Sequence, residues 1–171
     1  MIHIGIDPDT KATGIGVLVD GAPVKAMLAR AKGRFAKDRA PRMVEALRFA
    51  LDEVLHDYVT SHQIVRVAIE WQRIRPGEHA AKAQNIADLL GVAYLALSAT
   101  KSTFPLSDIV MPLPIEWKGS IPKEVHQKRI RRYLELDGAN AGVLKGMSKT
   151  VASHAIDGLG LAFWLFQQRS K

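Results

Sequence analysis

The sequence contains no cysteine, which excludes disulfides and cysteine-ligated zinc and is compatible with a reducing compartment. It has no long apolar run either. The longest, Leu159–Phe166, falls far short of the roughly 20 residues a membrane-spanning helix needs. The opening Met1-Ile2-His3 lacks a basic segment followed by an apolar one, so no signal peptide is expected. These absences predict a cytoplasmic protein without a membrane association. Repeats, low-complexity tracts and linkers are also missing. A chain of 171 residues with 47% hydrophobic content therefore predicts a single globular domain over residues 1–171.

Acidic residues are outnumbered. Seventeen Asp and Glu stand against 24 Lys and Arg, a formal net charge of +7. Such a balance favours polyanionic partners through phosphate contacts and counterion release. A merely solvated basic surface is the plainer alternative.

Periodicity predicts an α/β fold. Ile2–Asp7, Thr13–Asp20 and Ala22–Ala31 read as three strands, the last two joined by an Asp20-Gly21 hairpin turn. Lys32–Arg42 is basic and contains glycine, which predicts a loop. A helix is expected from Pro41, with Met43, Leu47, Ala50, Leu51, Val54, Leu55 and Tyr58 at helical spacing. The β-branched run Ile64–Ile69 predicts a central strand, and Pro76-Gly77 breaks the stretch Trp71–Glu78. His79–Ala96 is an Ala- and Leu-rich helix containing Gly91, Asp108–Leu113 a fifth strand, and Pro122–Leu136 a basic helix. Gly138–Gly146 reads as a loop, after which Ser148 is placed to cap a last helix ending at Gln168. The order β-β-β-α-β-α-β-α-α predicts a mixed five-stranded sheet flanked by helices.

Four residues carry the candidate chemistry. Asp7 and Glu70 end two apolar strands, and in α/β sheets ligands gather at the carboxyl ends of strands. His154 and Asp157, at i and i+3, share one face of the last helix. Magnesium prefers oxygen ligands and usually keeps water and substrate phosphate in its shell. Two such ions about 4 Å apart can activate water and stabilise the leaving oxygen of an in-line displacement. In that scheme Asp7 would bridge the ions, Glu70 and Asp157 would each hold one, and His154 would ligate an ion or orient the attacking water. The bland readings stand beside these. Asp7-Pro8 is also a turn signal, Glu70 could be a surface charge, and a lone helical histidine is more often a hydrogen-bonded residue than a ligand.

The wording around these residues resembles the RuvC-type Holliday junction resolvases. Ile4-Gly-Ile-Asp-Pro-Asp-Thr-Lys-Ala-Thr-Gly-Ile-Gly-Val17 is similar to that family's opening strand, Gly-Ile-Asp-Pro-Gly, followed by Thr-Gly and a second strand. Val67-Ala-Ile-Glu-Trp71 resembles its second acidic strand, and the Ala-rich stretch to Leu90-Gly-Val-Ala93 the helix after it. His154-Ala-Ile-Asp-Gly-Leu-Gly-Leu-Ala162 resembles its closing helix. The blocks appear in the family order and span most of the chain. The resemblance implies a ribonuclease-H-like fold and a nuclease dependent on Mg²⁺ or Mn²⁺. It also implies a homodimer that nicks two strands of a four-way DNA junction symmetrically and leaves 5′-phosphates. By motif position the implied catalytic and metal-binding set is Asp7, Glu70, His154 and Asp157. Asp9 departs from the pattern, standing where the family usually has glycine, and is either a further ligand contact or a turn residue. The compact chain is compatible with a phage-encoded member, acting at the nucleoid or in the cytoplasm of an infected host.

Basic segments supply candidate DNA contacts. Lys118–Arg132 holds Lys118, Lys123, Lys128, Arg129, Arg131 and Arg132 against Glu124, and Lys25–Arg42 holds seven Lys or Arg residues against Asp38. The resemblance implies lysines near the scissile phosphate, matched here by Lys118 and Lys123. Val125, Ile130, Tyr133 and Leu134 are expected to pack inward while the cations snorkel. The loop after Glu70 carries Arg73, Ile74 and Arg75, where an apolar or aromatic side chain could stack on a base. Trp71 is expected in the core, as are Phe163 and Trp164. His79–Ala96 is the candidate dimer contact, its alternative being simple packing on the sheet. The resulting expectation is a junction-resolving endonuclease. Its rivals are a relaxed nuclease of flaps, forks or hybrids, and a DNA-binding protein with a degenerate site.

Overall fold

The strand Ile2–Asp7 (β1) is buried along its whole length, as an unbroken apolar run predicts for a strand covered on both faces. The computed structural model describes residues 1–32, 36–58, 64–73, 79–105 and 107–168, and only the backbone of residues 36–40. After β1 come β2 (Ala12–Val19), β3 (Ala22–Arg30), α1 (Ala36–Tyr58), β4 (Val65–Ile69), α2 (Ala80–Thr103) and β5 (Asp108–Val110). The chain continues through α3 (Pro114–Trp117), α4 (Lys123–Tyr133), a 3-10 turn (Ala141–Leu144) and α5 (Lys149–Gln167). The sheet order is β3-β2-β1-β4-β5. β1 pairs antiparallel with β2 and parallel with β4, and β4 pairs parallel with β5.

Core clusters form on both faces of the sheet. Met43, Leu47, Leu51 and Val54 of α1 join Val92, Ala93, Ala96 and Ala99 of α2 against the isoleucines of β1. On the other face Ala152, Ala155, Ile156 and Leu159 of α5 pack with Leu18 of β2 and with Ile130 and Leu134. α5 lies directly on β1 and β2 because the facing strand residues are glycines. A Cβ at Gly5 would stand 2.1 Å from the carbonyl oxygen of Gly158, and one at Gly16 would stand 2.2 Å from the backbone nitrogen of Leu159. Backbone thus meets backbone where the helix crosses the sheet. Among the described residues no helix is long and apolar enough to cross a membrane.

Several boundaries differ from the sequence reading. α1 begins at Ala36, within the stretch expected to be a loop, and Pro41 lies inside the helix. Ala36, Lys37, Arg39 and Ala40 are good helix formers, and Pro41 removes one backbone donor. α2 runs to Thr103 instead of stopping at Ala96, since nothing before Pro105 interrupts it. β5 ends at Val110 because Pro112 and Pro114 offer no N–H to the ladder. α3 was not expected. Pro114 opens it, and Glu116 Oε2 accepts a 2.6 Å hydrogen bond from the backbone N–H of Leu113.

On α4 the inward expectation fails for Val125 and Tyr133, which are 41% and 63% exposed. The buried stripe is His126, Ile130 and Leu134, at i, i+4 and i+8, and the other two lie beside it. Tyr133 stacks on half-buried Phe163 instead. Ser148 holds the N-cap position of α5 without a side-chain capping bond.

Candidate active site

β1 and β4 run parallel, with Ile6 opposite Ile69. Glu70 follows directly, its N–H donating to the carbonyl of Ile6 at 3.0 Å. Asp7 and Glu70 therefore leave the sheet at the same end on adjacent strands. α5 brings His154 and Asp157 to that end. Asp7, Glu70 and Asp157 are all buried, and His154 Nδ1 faces Asp7 Oδ2 across 3.9 Å. At that distance the pair is an electrostatic contact and not a hydrogen bond. His154 Nδ1 is buried and has no hydrogen-bond partner.

Glu70 and Asp157 are both held by the segment from Trp117 to Gln127, and Glu70 by Gln72 as well. Trp117 Nε1–H donates to Glu70 Oε2 at 2.8 Å, and Lys118 Nζ meets the same oxygen at 3.0 Å. Gln72 donates to Glu70 Oε1 at 2.6 Å. Lys123 Nζ meets Asp157 Oδ2 at 2.7 Å, and Gln127 Nε2 donates to Asp157 Oδ1 at 2.9 Å. The carbonyl and hydroxyl oxygens of Ser153 lie 3.0 and 2.9 Å from the same nitrogen, so its two hydrogens are shared among three acceptors. A carbonyl and a carboxylate accept only, so the amide orientation of Gln127 is fixed by its partners. Gln72, Trp117 and Gln127 were missed in the sequence, where nothing in their spacing ties them to an acid.

Burial pushes the carboxyl of Asp7 up to about 6. His154 opposes the rise, the like charges of Glu70 and Asp157 add to it, and Lys118 opposes it. The neighbouring Asp7 raises His154, against its own burial. For Asp7 the folded value lies above the ordinary value near 4, so its contribution to stability is fully present below about pH 4 and is lost as pH rises through about 6. His154 acts in the same sense. Asp7→Asn should therefore stabilise the protein relative to wild type at neutral pH in EDTA. That gap should close by about pH 4. Denaturant unfolding of both proteins across this range measures it, and a gap independent of pH would contradict the burial of a charged Asp7.

Three buried carboxylates and a bare imidazole nitrogen suit a hard divalent cation by donor chemistry. Their spacing is another matter. Among the described residues no three His, Asp or Glu groups stand where they could share an ion. Asp9 is a turn residue, its Oδ1 accepting from the N–H groups of Lys11 and Ala12 at 2.8 and 3.2 Å.

Beside His154 a groove of about 670 Å³ runs between α4 and α5. Its cations are Lys123, Lys128, Arg131 and Lys149, with Glu124 as its acid. Lys149 was not singled out in the sequence. Lys128 and Arg73 are exposed. Arg75 and Ile74 lie outside the described residues, as does part of the basic stretch Lys25–Arg42. Trp71 packs edge-on against Tyr94 and on the α1–α2 core, and Trp164 packs on the second face.

A mixed sheet in the order β3-β2-β1-β4-β5, covered by helices on both faces, is the ribonuclease-H-like fold, here with an acidic cluster at the carboxyl ends of its parallel strands. Within that class the chain has the fold of RuvC. It is similar to Thermus thermophilus RuvC solved in complex with a Holliday junction substrate, with 21% identity, a TM-score of 0.65, and coverage of 99% of this chain and 95% of that one. A second Thermus thermophilus RuvC structure gives 22% identity, a TM-score of 0.62, and coverage of 99% and 96%. Comparison of the sequence with family models and with curated proteins gives no match.

Proposed function

We propose that the chain is a metal-dependent endonuclease that resolves four-way DNA junctions by paired, symmetric nicks. The observation that carries this reading is the meeting of Asp7, Glu70 and Asp157, buried and drawn from three separate elements, at one end of a RuvC-like fold. Asp7, Glu70 and Asp157 would hold Mg²⁺, or Mn²⁺ in its place, with His154 as a further ligand or as the group orienting water. Bound there, such ions would supply an activated water and charge stabilisation at the leaving oxygen. The chain's cations neutralise the phosphates of the strand being cut, and the groove lined by Lys123, Lys128, Arg131 and Lys149 is a path for that strand.

Paired nicking requires two sites, and a homodimer supplies them by two-fold symmetry. The exposed residues of the stretch His79–Ala96, with Tyr94 61% exposed, form the face proposed for that contact.

Cleavage of an immobile four-way junction against a matched linear duplex, in Mg²⁺ and in EDTA, tests the reading. Metal-dependent paired nicks confined to the junction are expected. Equal cutting of flaps and forks would replace strict resolution with a relaxed nuclease. Tight binding without cutting would leave a DNA-binding protein with a degenerate site.

The groove makes a separate prediction. Lys128→Ala should weaken junction binding and lower the slope of log K against log salt by about 1. An unchanged slope would remove Lys128 from the phosphate contacts.

A further inference from the structure

We propose that Lys118 and Lys123 are internal counter-cations of the acidic cluster, bound to Glu70 and Asp157 in the ion-free protein and exchanged for divalent ions when these bind. The inference rests on the nuclease reading above and concerns how this chain reaches its ion-loaded state.

Each of the two acids is held by two kinds of partner. One kind is neutral and fixed. Trp117 is buried with its indole N–H on Glu70, and Gln127 is tied to Ser153 as well as to Asp157. The other kind is a charged group on a flexible four-carbon stem. The side chain of Lys123 is 48% exposed although its partner Asp157 is 5% exposed, and Lys118 is 27% exposed against 6% for Glu70. The neutral donors are built in, whereas the ammonium groups sit on flexible stems, the ammonium of Lys118 also lying 4.9 Å from the centroid of the Trp117 ring.

The lysines also have somewhere to go. Lys123 opens α4 and lines the basic groove beside His154, so its released ammonium faces the path proposed for the phosphates. Lys118 precedes Gly119, whose φ is +67° and which has nothing within 4 Å of where a Cβ would stand. The link from Lys118 to α4 is thus unencumbered on that side.

The two kinds of partner predict opposite effects on ion affinity. Removing a competitor should tighten binding, and removing a fixed orienting donor should loosen it. Mn²⁺ titrated calorimetrically into the full chain, without DNA and at neutral pH, reads both. Lys123→Ala should bind Mn²⁺ about tenfold more tightly than wild type, within the usual range of coupling between sites. Lys123→Gln, which keeps a polar chain in place, should shift in the same direction and serves if the alanine variant folds poorly. Gln127→Leu should bind about tenfold more weakly, as loss of an outer hydrogen bond to a metal ligand commonly does. Equal or weaker binding by both Lys123 variants, with wild-type binding intact, would overturn the exchange and leave the metal site standing. Wild-type binding that is absent, or unaffected by Asp7→Asn, would overturn the metal site and the exchange with it.

Discussion

Asp157→Asn is expected to slow junction cleavage by about 10³-fold or more while junction binding persists. Asp157 is buried, and its two oxygens accept from Gln127 and Lys123 on opposite sides. Asparagine has the same shape, but its amide presents one oxygen where the carboxylate presented two. One of the two donors then faces an N–H₂ group, a local cost of about 1–3 kcal/mol, which is too little to unfold the chain. The change removes one negative charge from the cluster and, on the proposed reading, a hard oxygen ligand. Loss of that charge cannot weaken attraction for a phosphate backbone, so binding holds or improves. A loss of about 10³ in rate corresponds to about 4 kcal/mol of transition-state stabilisation. Single-turnover cleavage beside gel-shift binding separates the two effects. Cleavage at the wild-type rate would place the reaction centre elsewhere.

The acids of this site were legible in the sequence because each sits at a position that backbone periodicity marks. Asp7 and Glu70 close apolar strands, and His154 and Asp157 repeat at i and i+3. Pairing of β1 with β4 and the placement of α5 then bring three separate stretches together, as the order of elements required. The groups that orient the acids were not legible. Trp117 lies on a one-turn helix whose signals, Pro114 and Glu116, fall between the expected strand Asp108–Leu113 and the expected helix Pro122–Leu136, too short a run for periodicity to mark. Gln127 looks like any polar residue on a basic helix, and only the packing of α4 on α5 turns its amide to Asp157. Lys118 and Lys123 were read as contacts to phosphate, and their partners in the fold are carboxylates. Residue type shows the sign of a charge, and packing sets its partner in the fold. The same limit explains Val125 and Tyr133. A helix of mixed pattern has two candidate stripes, and the tertiary contact with Leu159 and Ala162 selects the one carrying Ile130 and Leu134.

Gly16→Ala should be among the most damaging single substitutions outside the acids themselves. The added methyl would stand 2.2 Å from the backbone nitrogen and 2.4 Å from the Cα of Leu159. Both are backbone atoms of α5, so no side-chain rotation relieves the clash. Gly5, opposite Gly16 in the register of β1 and β2, makes the same close approach to Gly158. The helix therefore has to lift from the sheet or the strands have to bend, at about 3 kcal/mol or more. For a chain of this size that lowers Tm by about 6–12 °C. Lifting α5 also carries His154 and Asp157 away from Asp7 and Glu70, so the folded fraction should lose Mn²⁺ binding and cleavage together. Gly91→Ala provides the control. Gly91 lies in α2 with nothing within 4 Å of its would-be Cβ, and there the same methyl should stabilise by up to about 1 kcal/mol. Thermal unfolding of the two variants should move in opposite directions. A Gly16→Ala protein that melts with the wild type and still binds Mn²⁺ would show that backbone contact between α5 and the sheet is not what assembles the site.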